Sequence, residues 1–278
     1  MNNLKFYVIA TPIGNLKDIT LRALETLEIV DELLCEDTRK TLNLLNHYNI
    51  KKKLICYNEH TKHKITKNII TSIKNGKIYG LVTDAGTPLI SDPGYYLIKE
   101  LIAEKVKVIP IPGASALTTA LSASGLNTDI FLFIGFLSNN HKKTRELFEQ
   151  YAKLDTTIIF FEAANRLTDT LHIALDIFGD RQIAICRELT KLYEEFIRGT
   201  IAEILKNKNI IFKGEIVVVI DNRQNDKNNF VIDQKIEKLY NYLFNKNLEK
   251  TEILKIISDI FGIKKNILYD YFIKNRKI

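Results

Sequence analysis

Along the first 126 residues, short runs of β-branched and aromatic residues alternate with stretches in which apolar side chains recur every three or four positions. The first pattern predicts strands and the second amphipathic helices. Strands are expected at Lys5–Ala10, Glu32–Cys35, Leu54–Tyr57, Ile78–Thr83 and Val106–Ile111, and Leu21, Leu24, Leu27 and Val30 mark one of the intervening helices. This alternation argues for a mostly parallel α/β sheet, whose ligands bind beyond the carboxyl ends of the strands. A second α/β block is expected from Asn127 onward, with strands at Ile130–Phe136, Thr156–Phe161, Gln182–Cys186 and Glu215–Asp221. The polar stretch NRQNDKNN, residues 222–229, reads as a linker. Beyond it the pattern is helical, and apolar residues at helical spacing on both sides of Gly262 read as a helix-turn-helix. A helical cap on the body and a nucleic-acid contact both fit that tail. The expected domains are residues 1–126, 127–223 and 224–278, without long-period repeats.

Composition narrows the class. With 278 residues, 46% hydrophobic and 26% charged, the chain can bury ordinary domain cores. Its longest apolar run, Ile130–Leu137, is too short to cross a bilayer, and the N-terminus lacks a basic-then-apolar leader, which points to the cytoplasm. Cys35, Cys56 and Cys186 are odd in number and widely spaced, so they form neither a disulfide framework nor a metal pair and read as small buried hydrophobes. His60 and His63 lack a third ligand and read as surface polar groups, so no metal is expected. The net charge of +7 suits a polyanionic partner, and residues 226–278, with eleven Lys/Arg against seven Asp/Glu, carry +4 of it.

The candidate chemistry lies in four loops after strands of the first block. IATPIGNLKDIT leaves the first strand through Thr11, Pro12, Gly14 and Asn15; CEDTR sets Glu36, Asp37 and Arg39 at a strand end, where Asp37 or Thr38 also fits as a helix cap. LVTDAGTPLISDPG makes two Gly/Pro turns a few residues apart and carries Asp84 and Asp92; PIPGASALTTALSASG offers Pro112, Gly113, Ala114, Ser115 and Ala116. Four such loops on one sheet edge describe a ligand cleft. GxxxxGK[ST], GxGxxG, HExxH and GxSxG are all absent, which removes the main support for P-loop, dinucleotide, zincin and serine-hydrolase readings. Small residues with backbone donors and acceptors, flanked by acidic groups, suit a molecule with adenosine and a positive centre, and S-adenosylmethionine fits.

The ordered motifs TPIGNLxDIT, EDTR, DAGTPxISDPG, PGxSA, FxxxGFL, RELTK and KGE, spanning about residues 4–221, resemble the ribosomal small-subunit methyltransferase I family. These are 16S rRNA cytidine ribose 2'-O-methyltransferases within the tetrapyrrole-methylase-like class of S-adenosylmethionine enzymes. The resemblance implies two α/β domains of the tetrapyrrole-methylase type with the cofactor in the cleft between them, a small C-terminal helical domain, and a homodimer. It implies that Ala85, Gly86 and Thr87 run along the cofactor beside Asp84, with Ile90, Ser115, Ala116 and Pro12 nearby. Glu162 and Leu189 would close over the adenosine, with Gly214 and Glu215 near it. The family usually has FYEAPHR where this chain has FFEAANR, so Ala164 and Asn165 stand in place of Pro and His. Arg166 remains, as a phosphate contact or a structural ion-pair partner.

For such a transfer, Glu36 and Asp37 are the candidate proton acceptors, with Asp84 behind them. RNA would be held through Asn15, Arg39, Arg166, Lys191, Lys264 and Lys265, and the implied acceptor is the ribose of cytidine 1402 in the assembled small subunit. The rival readings are a tetrapyrrole, other small-molecule or protein methyltransferase of the same fold, and a non-catalytic RNA-binding protein.

Overall fold

In the first block the strands are apolar at nearly every position, because in the computed structural model helices cover both faces of the sheet they form. The structure describes residues 4–58, 62–207, 213–223, 234–246, 248–261, 263 and 265–274. The first sheet contains β1 (Lys5–Ile9), β2 (Glu32–Cys35), β3 (Lys53–Cys56), β4 (Tyr79–Leu81) and β5 (Lys107–Ile111), in the order β3-β2-β4-β1-β5. All its pairings are parallel. On one face α1 (Leu21–Ile29) and α2 (Thr38–His47) bury Leu27 and Leu45 with Ile9, Leu33 and Val82. On the other, α3 (Lys62–Lys74) and α4 (Tyr95–Ala103) bury Ile69, Ile73, Leu97 and Leu101 with Phe6, Leu34 and Tyr79. A parallel ladder brings every strand-to-helix loop to the same edge, which is what gathers the motif loops.

The next helix, α5 (Ala116–Ser124), leaves that sheet. It buries Ala120 and Leu121 against Ile159, Ala184, Cys186, Val217 and Val219 of a second sheet, together with Ile13 from the loop after β1. That sheet contains β6 (Phe131–Phe136), β7 (Thr157–Ala163), β8 (Gln182–Arg187), β9 (Glu195–Thr200) and β10 (Glu215–Asp221), ordered β6-β7-β10-β8-β9. Only β6 and β7 run parallel; the other pairings are antiparallel. Its far face is covered by α6 (His141–Tyr151), α7 (Leu167–Phe178) and α8 (Ile201–Lys206), which pack Phe148, Leu171, Phe178 and Ile204 on Phe160, Ile185 and Val218. The pattern reading omitted β9. It lies at the sheet edge with Glu195 and Arg198 exposed and no strand position fully buried, so it carries no apolar run.

Residues 1–223 form one compact unit and residues 224–278 a second. The second contains α9 (Gln234–Asn245), α10 (Lys250–Phe261), α11 (Lys265–Tyr269) and a π-helical turn, Asp270–Lys274. Its own core gathers Tyr240, Ile253, Ile257, Leu268 and Phe272, with the Tyr240 and Phe272 rings stacked at 4.0 Å. Gly262, Lys264, His60 and most of the 222–229 stretch lie outside the described residues. Cys35 and Cys186 are buried as expected, but Cys56 is exposed, because it ends the edge strand β3. Among the described residues no helix is long and apolar enough to cross a membrane, and no acidic, histidine or cysteine cluster has the geometry to hold a metal ion.

Candidate functional site

The loop after β1 and the loop after β4 are tied together by a two-way backbone bridge. Thr11 N–H donates to Gly86 O at 2.9 Å, and Gly86 N–H donates back to Thr11 O at 3.0 Å. Thr11 Oγ also donates to Thr83 O at 3.3 Å. Gly86 sits at φ +83°, and a Cβ there would lie 3.2 Å from Ile13 Cγ2, so both its backbone angle and its packing favour glycine. Thr87 Oγ donates to Ala114 O at 3.1 Å and brings in the loop after β5. There Ser115 stands at the N-cap of α5, yet its hydroxyl makes no capping bond, while Ala116 packs in the cluster with Ile13 and Leu189. Leu89 and Ser91 adopt left-handed backbone, at φ +72° and +69°, and fold the second Gly/Pro turn back on the first. Ile90 at the tip of this fold is exposed. A pocket of about 260 Å³ opens between the loop after β1, the end of β4 and α2, with Pro12, Gly14, Lys40, Thr83, Asp84 and Ala85 in its wall.

The loop after β8 closes on the same place. A Cβ on Gly14 would lie 2.5 Å from Lys191 Cγ, 2.9 Å from Thr190 Oγ and 3.0 Å from Leu189 O. Asn15 N–H donates to Thr190 Oγ at 3.0 Å, and the Asn15 side chain caps the 3-10 turn Leu16–Asp18 by accepting from Lys17 N–H at 3.1 Å. The closing loop is held by charge. Glu188 accepts from Glu215 N–H at 2.9 Å and from Lys191 Nζ at 3.0 Å, while Lys191 Nζ also donates to Glu215 at 2.8 Å. The RELTK and KGE motifs thus lock each other, and Lys191, expected to meet RNA, is an internal ion-pair partner. On the β6 side, a Cβ on Gly135 would lie 3.5 Å from Ser91 Oγ.

The carboxylates beyond β2 and β4 differ sharply in their surroundings. Asp37 caps α2, accepting from Arg39 N–H at 2.8 Å, and Arg39 also pairs with it through Nε at 3.1 Å and Nη2 at 2.7 Å. Those bonds hold its carboxyl down to about 2, so Asp37, read as a candidate proton acceptor, is instead a committed cap with little affinity for a proton. Asp84 accepts from Asp37 N–H at 3.1 Å and from Lys40 Nζ at 2.8 Å. Glu36 is pushed up by burial and by the charge of Asp84, and Asp92 is pushed up to about 6, chiefly by burial and secondarily by Glu36 and Asp84. The Thr83 hydroxyl stands beside both and lowers them, at Asp92 by more than either neighbouring carboxylate raises it. It is buried and has no partner at normal hydrogen-bond geometry.

Glu162 and Arg166 find each other. The buried Glu162 carboxylate pairs with Arg166, and accepts from Thr170 Oγ at 2.7 Å and from Ala163 N–H at 2.8 Å. Thr170 lies on α7, so this pair belongs to the face of the second sheet opposite α5 and Ile13. Arg166 also donates to Asn139 Oδ1 and to Leu137 O. Its side chain is spent on structure, the ion-pair alternative of the two left open by the motif. Arg39 is 88% exposed, and Lys265 is exposed on the C-terminal unit. Lys40 and Thr83 escaped the sequence reading. Each borders a motif without belonging to it: Lys40 follows EDTR directly, and Thr83 directly precedes DAGTP.

Comparison with known proteins agrees with this architecture. Residues 5–205 match the family model described as Tetrapyrrole (Corrin/Porphyrin) Methylases. The chain is 49% identical over 216 residues to the ribosomal RNA small subunit methyltransferase I of Halalkalibacterium halodurans, covering 77% of this chain and 75% of that one. It is 44% identical to the protein of the same name from Rickettsia prowazekii over 256 residues, 92% of this chain and 90% of that one. A solved diphthine synthase superposes with TM-score 0.61 at 15% identity, covering 78% of this chain and 89% of its own. A uroporphyrin-III-C-methyltransferase from Thermus thermophilus superposes with TM-score 0.54 at 17% identity, covering 80% and 96%. The two superpositions show the shared fold, while identity approaching one half over most of both chains shows something narrower: the chain belongs to the ribosomal RNA small subunit methyltransferase I family.

Proposed function

We propose that this protein methylates the ribose 2'-oxygen of cytidine 1402 in 16S rRNA, using S-adenosylmethionine and acting on the assembled small subunit as a cytoplasmic homodimer. The observation that carries the reading is the floor made by the loops after β1, β4 and β5, poor in side chains and bridged through Thr11 and Gly86. A flat nucleoside fits against this backbone, which Gly86 holds in shape through its positive φ and its close packing on Ile13. Ala85, Gly86 and Thr87 would hold it along one edge with Asp84 and Ile90, Ser115 and Ala116 along another, and Pro12 and Leu189 across the apolar side. The Ser115 hydroxyl, unused by its own helix, is free to bond a ligand. Bound there, S-adenosylmethionine would supply a methyl group already activated on a positively charged sulfur.

The chain's own contribution is then placement and proton handling. Holding an acceptor oxygen roughly 3–3.5 Å from the methyl carbon, in line with the bond that breaks, lowers the barrier by several kcal/mol. The strand-end carboxyls accept the hydroxyl proton, a contribution of about 10²–10⁴-fold. Asn15, Lys40, the exposed Arg39 and the basic C-terminal unit are the groups we assign to the RNA backbone, which positions the substrate without reading sequence.

Labelled S-adenosylmethionine offered with small subunits, naked 16S rRNA and a precorrin tests the reading. Label on small subunits at an alkali-resistant linkage is expected, since a methylated 2'-oxygen cannot attack its phosphate. Label on the tetrapyrrole alone would overturn it.

A further inference from the structure

Charge is sorted by face on α9 of the second unit. Ile236, Leu239, Tyr240 and Leu243 recur at helical spacing and turn into that unit's own core. Lys235, Lys238, Tyr242 and Lys246 follow one another at intervals of three and four, which lines them up in a second stripe along the helix. Lys246 stands just past the last helical residue, but its N–H still bonds to Leu243 O at 3.1 Å and so keeps the register. All four side chains are exposed, and the exposed Asn241 and Asn245 border them. Glu237, the acid of α9, lies on another face, where its carboxylate accepts from the Tyr271 hydroxyl at 2.5 Å. The Tyr242 ring is 60% exposed and takes no part in the core, and Lys246 Nζ lies 5.8 Å from its centroid. Like charges three positions apart on a helix repel, and an aromatic ring in water leaves apolar surface uncovered. A polyanion that carries flat groups relieves both.

We propose that this face of α9 binds an unpaired stretch of RNA, with one base stacked on Tyr242 and phosphates on Lys235, Lys238 and Lys246. The inference deepens the rRNA reading, which supplies the RNA. Stacking on an aromatic ring and lysine contacts to phosphate are the two contributions by which proteins hold single strands without reading their sequence. From Lys235 to Lys246 the stripe runs roughly 16 Å at 1.5 Å per residue, room for about four or five nucleotides stacked at 3.4 Å each. Two other uses of the unit fit less well. A helix-turn-helix would carry a later helix into a duplex groove, yet α11 has only the five residues Lys265–Tyr269, and the major groove of an RNA duplex is too deep and narrow for side chains to read. A membrane surface would need the apolar face of α9, and that face is already buried with Ile253 and Ile257.

The test uses the full chain and a single-stranded oligoribonucleotide of about 12 nucleotides, within the site sizes of single-strand binders. Anisotropy titrations across a range of salt give its affinity and the salt slope. Tyr242→Ala should weaken binding about tenfold or more and leave the slope unchanged, while Tyr242→Phe, which keeps the ring, should bind like wild type. Lys235→Gln/Lys238→Gln/Lys246→Gln should lower the slope of log K against log salt by about 2, at roughly 0.7 for each phosphate released. A 2-aminopurine in the strand should be quenched by wild type and by Tyr242→Phe, and left bright by Tyr242→Ala. Duplex RNA and inorganic polyphosphate should compete weakly. Urea unfolding should show every variant as stable as wild type, since the altered side chains are exposed. Tyr242→Ala at wild-type affinity, or the lysine variant with an unchanged slope, overturns the inference. So does duplex RNA, polyphosphate or an anionic phosphatidylserine vesicle that displaces the single strand as well as unlabelled strand does. Wild type that leaves no alkali-resistant label on small subunits, yet shows these binding effects, sinks the methylation reading and keeps the stacking face. Wild type that leaves the label, with the variants binding the strand as it does, sinks the inference alone.

Discussion

Replacing Gly14 with alanine tests whether the loop after β8 closes on the loop after β1. The added methyl would stand 2.5 Å from Lys191 Cγ, 2.9 Å from Thr190 Oγ and 3.0 Å from Leu189 O. The first contact lies near the base of a flexible side chain, but the last is backbone, so the two loops must separate by several tenths of an ångström. Overpacking of this kind costs about 1–3 kcal/mol. Separation also stretches the bond from Asn15 N–H to Thr190 Oγ, worth about 1 kcal/mol. A total of about 2–4 kcal/mol should lower Tm by roughly 4–16 °C for a unit of this size. Because Leu189 lies in the same loop, affinity for S-adenosylmethionine should fall about tenfold or more. Calorimetric melting and isothermal titration measure the two effects. Gly76→Ala is the reference for backbone strain alone: that glycine sits at φ +92°, which disfavours alanine, but its Cβ would meet nothing within 4 Å, so it should cost stability without moving cofactor affinity. If Gly14→Ala melts and binds like wild type, the closure drawn between the two loops is wrong.

Two more predictions follow from the charged groups. Arg166→Met leaves Glu162 buried without its cation and should cost about 3–5 kcal/mol in urea unfolding, most of it recovered in Glu162→Gln/Arg166→Met. Cofactor affinity per folded molecule should hold, and a loss of affinity without a loss of stability would instead move this pair into the site. Asp37 has a folded-state pKa below its unfolded value of about 3.8, so its contribution is complete above pH ~4 and disappears as the pH falls toward 2. Asp37→Asn should therefore flatten the acid side of the stability curve between those values, measured as the urea midpoint against pH. An unchanged acid slope would mean that the Arg39 bonds do not form.

How much of this was legible in the sequence depended on how far apart the determinants lie. The strands of the first sheet could be read because burial on both faces makes them continuous apolar runs bounded by turns, as at Phe6–Ile9 and Leu33–Cys35. β9 could not, since an edge strand with Glu195 and Arg198 in solvent needs no such run. Strand direction in the second sheet was also hidden, because it depends on where each connection lands and not on any one segment. The Gly/Pro turns announced a shaped loop, yet Gly14 is required by Leu189, Thr190 and Lys191, about 175 residues away in the chain. Conversely, Glu162 and Arg166 are only four residues apart, yet helical spacing could not announce their pairing, because Glu162 lies on β7 and Arg166 caps α7. The contrast between Asp37 and Asp92 had no sequence signature, since both are acids beside turns and only their neighbours differ.

Backbone strain ties the parts of the site together. Among the described residues, six other than glycine have positive φ. Asn49 and Lys105 follow the ends of α2 and α4, where left-handed backbone is an ordinary way to stop a helix. The other four, Leu89, Ser91, Glu188 and Thr190, fall in the loops after β4 and β8. Each such conformation costs about 1–3 kcal/mol and persists only where its surroundings over-determine it. Those surroundings are present in the loop after β8: Glu188 is fixed by Lys191 and the Glu215 N–H, and Thr190 by Asn15 and by Glu194, whose carboxylate accepts its N–H at 2.6 Å. A fold that needed these loops only as connections would gain stability by relaxing them. Their retention in strained form, in two loops that both bond to the loop after β1, is what a site built to hold an acceptor oxygen in one position requires, because looser loops would lose the alignment on which an in-line transfer depends.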